Sequence, residues 1–185
     1  MGYGLRPKPD GVHIAFAAGT GVLCFVDLVA MIANFMLNIR QRNSSIQGNG
    51  EMGGSFIGET DLEKFQFHLY ASFRSRKDSV ALELFEALED FCRRGGYRSF
   101  HLHLRLSQEK VNPQRWDEAF IRQEIGKFGI ENISKVWVCG PPVMNETFDR
   151  VFSARPRANA SDNQGEGPLL DDGQTVLSPE QFEIL

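Results

Sequence analysis

The sequence predicts an α/β domain with a parallel sheet, because short apolar strands alternate with helical segments along most of the chain. Two strand–turn–helix stretches carry this prediction: VHIAFAAGTGV at residues 12–22 and KVWVCGPPVM at residues 135–144. In each, a buried strand ends in a turn of small residues or prolines. A chain of 185 residues, 42% of them hydrophobic, is long enough to bury the core of such a domain.

The composition excludes some classes of function. The net charge of −4 gives no basic surface for nucleic acid. Cys24, Cys92 and Cys139 are few, far apart and odd in number, which favours free thiols in a reducing compartment, so we expect a cytoplasmic protein. No zinc-ligand spacing is present, and we expect no metal site. The Gly- and Pro-rich start of the chain does not resemble a secretory signal.

The first strand, at residues 12–17, leads through Gly19-Thr20-Gly21 into an apolar helix at residues 22–39. Glycines there allow a tight turn and remove the Cβ atoms that would block a phosphate or a nicotinamide ring. Gly-Thr-Gly alone is a weak motif, because strand–helix turns without a ligand also contain it. We expect the helix to pack on the sheet rather than to span a membrane. Its predicted apolar side is Leu23, Val26, Val29, Ala30, Ala33 and Leu37.

The remaining elements follow in alternation. Residues 40–60 are polar and Gly-rich, which predicts a flexible insertion, and residues 65–71 read as the second strand. We expect Asp78 to cap a helix at residues 79–94, and Asn112 to cap the helix that follows a third strand at residues 97–106. The fourth strand ends at Cys139, and its helix begins at Pro142. Residues 153–173 read as a disordered linker. Residues 174–185 hold two apolar runs, one of which should form a last strand.

The pair AAGTGV and VWVCGPPVM resembles the nicotinamide-binding half of the ferredoxin–NADP reductase superfamily, which includes cytochrome b5 reductases, nitrate reductases and NADPH oxidase-type ferric reductases. The resemblance covers about residues 12–152, and Cys-Gly-Pro-Pro is its more specific motif. It implies a Rossmann-like three-layer αβα domain with a five-stranded parallel sheet in the order 3-2-1-4-5. Residues 1–11 would then be a connector from a flavin-binding domain outside this chain.

The resemblance also implies a cofactor site. NADPH or NADH would bind to this domain, and FAD would be held by the other domain. Cys139 would lie against the nicotinamide and align it for hydride transfer, which is a positioning role. A nucleophilic role for Cys139 is less well supported, because no general base is paired with it in the sequence. The expected cofactor-binding residues are Gly19, Thr20, Gly21, Val22, Ser72, Phe73, Arg74, Arg76, Gly140, Pro141 and Met144.

The end of the second strand bears on the choice of nucleotide. Arg74 and Arg76 stand where a Rossmann-like sheet places the adenosine ribose, and a guanidinium there favours a 2′-phosphate. No acidic residue is nearer in sequence than Asp78. Phe73 could stack on the adenine. These residues favour NADPH over NADH, although arginines that simply solvate a loop are an equal alternative.

Two functions from different classes remain. The first is the NAD(P)H-binding domain of a flavin-dependent oxidoreductase, inactive without its flavin domain, with an unspecified final electron acceptor. The second is a catalytically silent nucleotide-binding or regulatory module of the same fold. Neither function requires this domain to contact a membrane. This holds even if the domain belongs to a membrane-bound protein and lies on its cytosolic face. The sequence departs from the family at Val22-Leu23-Cys24, where many members have an aliphatic residue, a small residue and proline. The family's C-terminal aromatic residue is also not clear, and Phe182 is the nearby candidate.

Overall fold

A computed structural model of the chain describes residues 5, 7–45, 64–109, 115–152 and 177–185. Strands and helices alternate within these residues, as the sequence predicts. In chain order they are β1 (Gly11–Ala18), α1 (Val26–Ser45), β2 (Phe65–Phe73), α2 (Leu82–Gly95), β3 (Phe100–Leu106), α3 (Glu118–Gly126), β4 (Ile133–Cys139), α4 (Pro142–Phe152) and β5 (Phe182–Ile184). Short 3-10 helices precede α1, α2 and β4, at Gly19–Phe25, Arg76–Asp78 and Ile130–Asn132.

The five strands form one parallel sheet in the order β3-β2-β1-β4-β5, which confirms the predicted fold class and strand order. The second of the two C-terminal apolar runs supplies the edge strand β5. Its Phe182 lies opposite Val136 of β4, and the Leu185 N–H donates to the Val138 carbonyl. All crossovers between parallel strands therefore pass over one face of the sheet or the other.

Alternation along β1 divides the core into two layers. Ala15 and Ala17 are fully buried against α1 and α2, whereas Ile14 and Phe16 are fully buried against α3 and α4. Side chains of a strand point alternately to opposite faces, so one strand contributes to both cores. The two alanines leave room for bulky aromatic residues of the 3-10 helix before α1 and of β2, such as Phe25 and Phe67. Both faces of the parallel sheet are covered by helices, which completes the three layers.

The buried face of α1 differs from the predicted one. The buried side chains follow the helical spacing Phe25, Leu28, Val29, Ile32 and Met36. Leu23 and Leu37, which were predicted to be buried, are 51% and 47% exposed. The prediction was wrong at these two positions because nearly every residue in this segment is apolar, so hydropathy could not select one face. Val29 is fully buried, and Val26 and Ala33 pack against the core, as predicted. The tighter 3-10 turn before α1 also shifts the helical phase.

Gly19–Asn38 is long and apolar enough to cross a membrane by length and composition, with a mean hydropathy of 2.0. A third of this segment, 33%, is buried within the domain. Its buried side chains contact the core of the sheet and α2, where the Cys92 thiol donates to the Met36 sulfur across 3.5 Å. The expected packing of this helix on the sheet is therefore observed.

One predicted helix cap was wrong, and another lies outside the described residues. Helix α2 begins at Leu82, after Ala81 in a left-handed conformation with φ of 56°, and Asp78 does not cap it. Asp78 instead accepts a hydrogen bond of 2.6 Å from the Ser75 hydroxyl inside the 3-10 turn. Helix α3 begins at Glu118, where the Asp117 side chain accepts from the Phe120 N–H across 2.9 Å. The predicted cap at Asn112 lies outside the described residues.

The predicted boundaries of the flexible segments are only partly open to comparison. Helix α1 continues to Ser45, so residues 40–45 are helical rather than part of an insertion. The rest of the predicted insertion, 46–60, lies outside the described residues, as do the linker at 153–173 and residues 1–4 and 6 of the predicted connector. Strand β1 begins at Gly11, the last residue that was assigned to the connector.

Candidate functional site

The candidate site lies at the carboxyl ends of β1 and β4. The chain builds β1, β2 and β3 in one direction across the sheet and then crosses back to place β4 on the other side of β1. The turns that leave β1 and β4 therefore run to opposite faces and leave a crevice between them. Both predicted motifs, Gly-Thr-Gly and Cys-Gly-Pro-Pro, meet at this crevice. Ala17 of β1 lies directly opposite Cys139 of β4.

Gly21 joins the two motifs. A Cβ atom at this position would overlap the carbonyl oxygen of Cys139 and would lie 3.2 Å from its sulfur. Cβ atoms essentially never come so close to backbone atoms, so only glycine fits without a shift of one turn or the other. The turn after β1 is therefore held against the last residue of β4 by a direct backbone approach.

The 3-10 helix at Gly19–Phe25 explains which side chains face the crevice. Residues three apart eclipse one another in a 3-10 helix. Val22 and Phe25 share one edge and are both fully buried, whereas Gly21 and Cys24 share the edge that faces β4. The Cys24 sulfur consequently lies 3.4 Å from the Cys139 sulfur. Burial, followed by the hydrogen bond and charge of Cys24, raises the pKa of the Cys139 thiol to about 11.

The opposite wall of the crevice is formed by the start of α4. A Cβ atom at Gly140 would lie 2.6 Å from the Met144 sulfur and 3.3 Å from the Ala18 Cβ. Met144 therefore folds back over Gly140, and its N–H donates to the Pro141 carbonyl across 2.9 Å. Pro142 occupies the first position of the helix, where the missing N–H would have no partner. Gly140 therefore lies beside the end of β1, with the Met144 side chain over it.

A polar pair lies at the carboxyl ends of β2 and β3. Ser72 and Arg105 are opposite one another in the strand register, and an Arg105 Nη1–H donates to the Ser72 hydroxyl across 2.8 Å. Burial, and then the charge of Arg115, lowers the pKa of Arg105.

The two arginines predicted at this edge have different surroundings. Arg76 is bound to Glu86 by two contacts of 2.9 Å, and its N–H donates to the Glu109 carboxylate. The hydrogen bond to Glu86, and then the charge of that carboxylate, accordingly raises the pKa of Arg76. Arg74 is exposed, and its side chain makes no hydrogen bond or ion pair within the described part of the chain. Arg74 can therefore meet a ligand, whereas Arg76 must first leave a carboxylate.

Two predicted contact residues do not present their side chains to the site. Phe73 is 3% exposed and packs in the core with α1 and α2, so the predicted stacking of its ring on adenine is corrected. Val22 is fully buried in the same core and can offer only its backbone to a ligand. In β2, Phe73 points to the opposite face of the sheet from its neighbour Ser72. In the 3-10 helix, Val22 lies on a different edge from its neighbour Gly21, which faces β4.

Sequence reasoning missed four residues of this edge. Cys24 was noted only as a departure from the family, and Arg105 was not considered at all. Glu86 and Glu109 lie far from Arg76 in sequence but contact it in the fold. The alignment of Ser72 with Arg105 follows from the parallel register of β2 and β3. Arg105 could therefore have been found from the sequence by assigning the pairing register of β2 and β3.

Exposed apolar side chains surround the crevice. Leu23 is 51% exposed in the turn after β1, and Val143 is 74% exposed at the start of α4. Ile184 and Leu185, at the end of β5, are also exposed. Phe182 is not in this group, since its ring packs 4.9 Å from that of Phe152. The carboxyl edge of β1, β4 and β5 is thus bordered by side chains that water solvates poorly.

Solved structures with the same fold were found by comparison. The CS-b5R domains of human Ncb5or, in an NAD+ form, are 16% identical with a TM-score of 0.55, and the match covers 95% of this chain and 37% of that one. A flavohemoglobin from Malassezia yamatoensis with bound FAD and heme is 15% identical with a TM-score of 0.51. That match covers 97% of this chain and 33% of the flavohemoglobin. This chain thus spans about a third of the length of each.

These two structures share the fold of this chain, which is the fold that the resemblance of the two motifs implied. No protein-family model matches the sequence, and no curated protein matches it significantly.

Proposed function

We propose that this chain is the NAD(P)H-binding domain of a flavin-dependent reductase. The observation that carries the proposal is the direct approach of Gly21 to Cys139. It brings a glycine-rich turn and a Cys-Gly-Pro-Pro turn together at the switch point of an open α/β sheet, where ligands of such sheets bind. Neither motif alone distinguishes this function from a plain turn, but their contact defines a single crevice.

The crevice has features that fit a dinucleotide. Gly19 has a φ of +56°, and nothing lies within 4 Å of the position that a Cβ would occupy. Gly19 and Thr20 are both exposed, so their backbone and the Thr20 hydroxyl can approach a pyrophosphate. The wall formed by Gly140 and Met144 closes the other side. The residues present are thus suited to the group that the fold implies.

Cys139 would hold the nicotinamide in place. When bound, NAD(P)H would supply a hydride, and FAD on a partner domain would accept it. With a pKa of about 11, the Cys139 thiol is neutral near pH 7, so it would contact the nicotinamide as a small neutral side chain. Positioning, rather than nucleophilic attack, is the role that this protonation state supports.

Ser72, Arg74 and Arg105 would hold the adenosine end. The hydroxyl and the guanidinium of the Ser72–Arg105 pair lie at the strand ends where the ribose binds in Rossmann-like sheets. Exposed Arg74 adds a second positive charge, which favours the 2′-phosphate of NADPH. Glu86 opposes this preference less, because its carboxylate is already paired with the Arg76 guanidinium.

The flavin domain would cover the exposed apolar border of the crevice. Leu23 and Val143 flank the position proposed for the nicotinamide, and burial of both side chains would favour association. The partner supplies the flavin, so the isolated chain is expected to bind nucleotide without oxidising it.

Calorimetric titration of the purified chain with NADPH, NADH and ATP tests the proposal. We expect saturable binding of at least one nicotinamide nucleotide and weaker binding of ATP, which lacks the nicotinamide end. Absence of saturable nicotinamide nucleotide binding at millimolar ligand would contradict the proposal. A preference for NADH would overturn only the arginine assignment.

A further inference from the structure

Cys24 and Cys139 form a thiol pair that connects two elements distant in sequence. Their sulfur atoms are 3.4 Å apart, although 115 residues separate them along the chain. Both are free thiols in this structure, as is Cys92. We propose that Cys24 and Cys139 form a reversible disulfide that closes the crevice between β1 and β4. The effect on nucleotide binding rests on the proposed function, whereas the disulfide itself does not.

The backbone keeps the two thiols together. Gly21 is packed against the Cys139 carbonyl, and Cys24 lies one 3-10 turn further along the same edge. On the other side, Cys139 is held in register with Ala17 of β1. The two cysteines therefore stay close to one another unless the turn leaves β4. A disulfide has a length of about 2.05 Å, so the sulfurs need to approach by roughly 1.3 Å.

The exposure of the three thiols determines which of them reacts first with an oxidant. Cys24 is exposed, whereas Cys139 is half-buried and Cys92 is buried beside the Met36 sulfur. An oxidant in solution therefore meets Cys24 first. Burial raises the pKa of Cys92, like that of Cys139, to about 11, which disfavours direct attack by either thiol. Cys92 has no second cysteine beside it in the described part of the chain, so it serves as an internal control.

The reaction balances with a low-molecular-weight disulfide as oxidant. Cys24 loses its proton, its sulfur attacks one sulfur of the oxidant, and the other sulfur leaves as a thiolate. The Cys139 sulfur then loses its proton and attacks the Cys24 sulfur, expelling the second thiolate. Two thiols of the protein are oxidised, one small disulfide is reduced to two thiols, and the two protons go to those thiolates. A dithiol reductant reverses both steps.

The disulfide would remove the thiol proposed to face the nicotinamide. It would also fix the turn at Gly19–Phe25 to the end of β4, which prevents that turn from adjusting around a ligand. We therefore expect oxidation to weaken binding of the nicotinamide nucleotide. Cys24→Ser retains Cys139 but has no partner for it, so binding to this variant should not respond to oxidation.

The test treats the purified chain with oxidised or reduced glutathione and maps thiols by mass spectrometry. In wild type and Cys92→Ser, oxidation should produce a peptide that links Cys24 to Cys139 and a mass loss of two hydrogens. Dithiothreitol should remove the link and restore the original mass. Cys139→Ser should carry glutathione on Cys24 at most, and Cys24→Ser should keep Cys139 as a free thiol. Mixed disulfides on wild type without the internal link, or links only between two chains, would overturn the proposal.

The second measurement compares nucleotide affinity of the oxidised and reduced forms of each variant. Oxidation should weaken binding of NADPH or NADH to wild type at least about tenfold, or ~1.4 kcal/mol, and leave Cys24→Ser unchanged. Equal affinity of the two wild-type forms would overturn the closing role. An internal disulfide in a chain that binds no nicotinamide nucleotide when reduced would support the thiol pair and refute the proposed function instead.

Discussion

Gly21 packs its backbone against the carbonyl of Cys139, and no other residue type fits between these two turns without a shift. The contact fixes the distance between the carboxyl ends of β1 and β4. It also places Cys24 over Cys139, because a 3-10 helix repeats every three residues. The shape of the candidate site therefore depends on one glycine.

Gly21→Ala should damage both the fold and the site. The added methyl group overlaps a strand carbonyl, and overpacking of this kind costs about 1–3 kcal/mol. We expect a lower midpoint of urea denaturation and at least about tenfold weaker nucleotide binding. Gly126→Ala is the matched control, since nothing lies within 4 Å of the Cβ position at Gly126. Wild-type affinity in a folded Gly21→Ala chain would refute the role of this contact.

Arg105→Ala and Arg74→Ala should weaken NADPH binding more than NADH binding. A charge-assisted hydrogen bond contributes about 1.5–3 kcal/mol, which corresponds to a loss of roughly ten- to hundredfold for NADPH. Arg76→Ala should have less effect, because Glu86 already engages that guanidinium. Titration of each variant with both nucleotides measures the ratio. Equal losses of affinity for NADPH and NADH would show that these arginines do not recognise the 2′-phosphate.

Cys139→Ala should slow hydride transfer more than it weakens binding. A positioning side chain acts on the geometry of the bound nicotinamide, so its removal lowers kcat with a smaller change in Kd. The measurement is reduction of a dye by NAD(P)H with the native flavin domain supplied. Each tenfold loss of rate corresponds to about 1.4 kcal/mol of transition-state stabilisation. Unchanged kcat would show that Cys139 does not position the nicotinamide, and an assembly that never reduces its flavin would favour a regulatory module.

Acid should destabilise the fold through three buried histidines. Burial lowers the pKa of His13 and His103 to about 4 and that of His68 to about 3. The unfolded chain binds protons on these rings below about pH 6.5, whereas the folded chain does not, so stability falls as the pH falls through this window. Between pH 7.5 and 5.5 the expected loss is about 1 kcal/mol per histidine.

Urea denaturation across this pH range measures the slope. His68 lies 3.1 Å from His103, ring nitrogen to ring nitrogen, and stacks on His101 with ring centroids 4.6 Å apart. His68→Phe keeps an aromatic ring but has no titrating group, so it should reduce the slope. A slope equal to that of wild type would show that His68 does not contribute.

The parallel sheet and the meeting of the two motifs could be predicted from strand–helix alternation and from two short motifs at strand ends, whereas the strand order came from the family resemblance. The buried face of α1 could not, since apolar residues occupy nearly all of its sides. The start of α2 at left-handed Ala81 carries no sequence signal, because L-residues seldom adopt that conformation. Arg105 and Cys24 were missed because their contacts, to Ser72 and Cys139, form only when strands pair in register.

The most direct test of the central claim is to map nicotinamide nucleotide binding by amide chemical shifts of the labelled chain. We predict that NADPH or NADH shifts the amides of Gly19, Gly21, Cys139 and Gly140, which border one crevice, and that ATP leaves those of Cys139 and Gly140 unchanged. Shifts that saturate elsewhere, with the amides of Gly21 and Cys139 unaffected, would contradict the account.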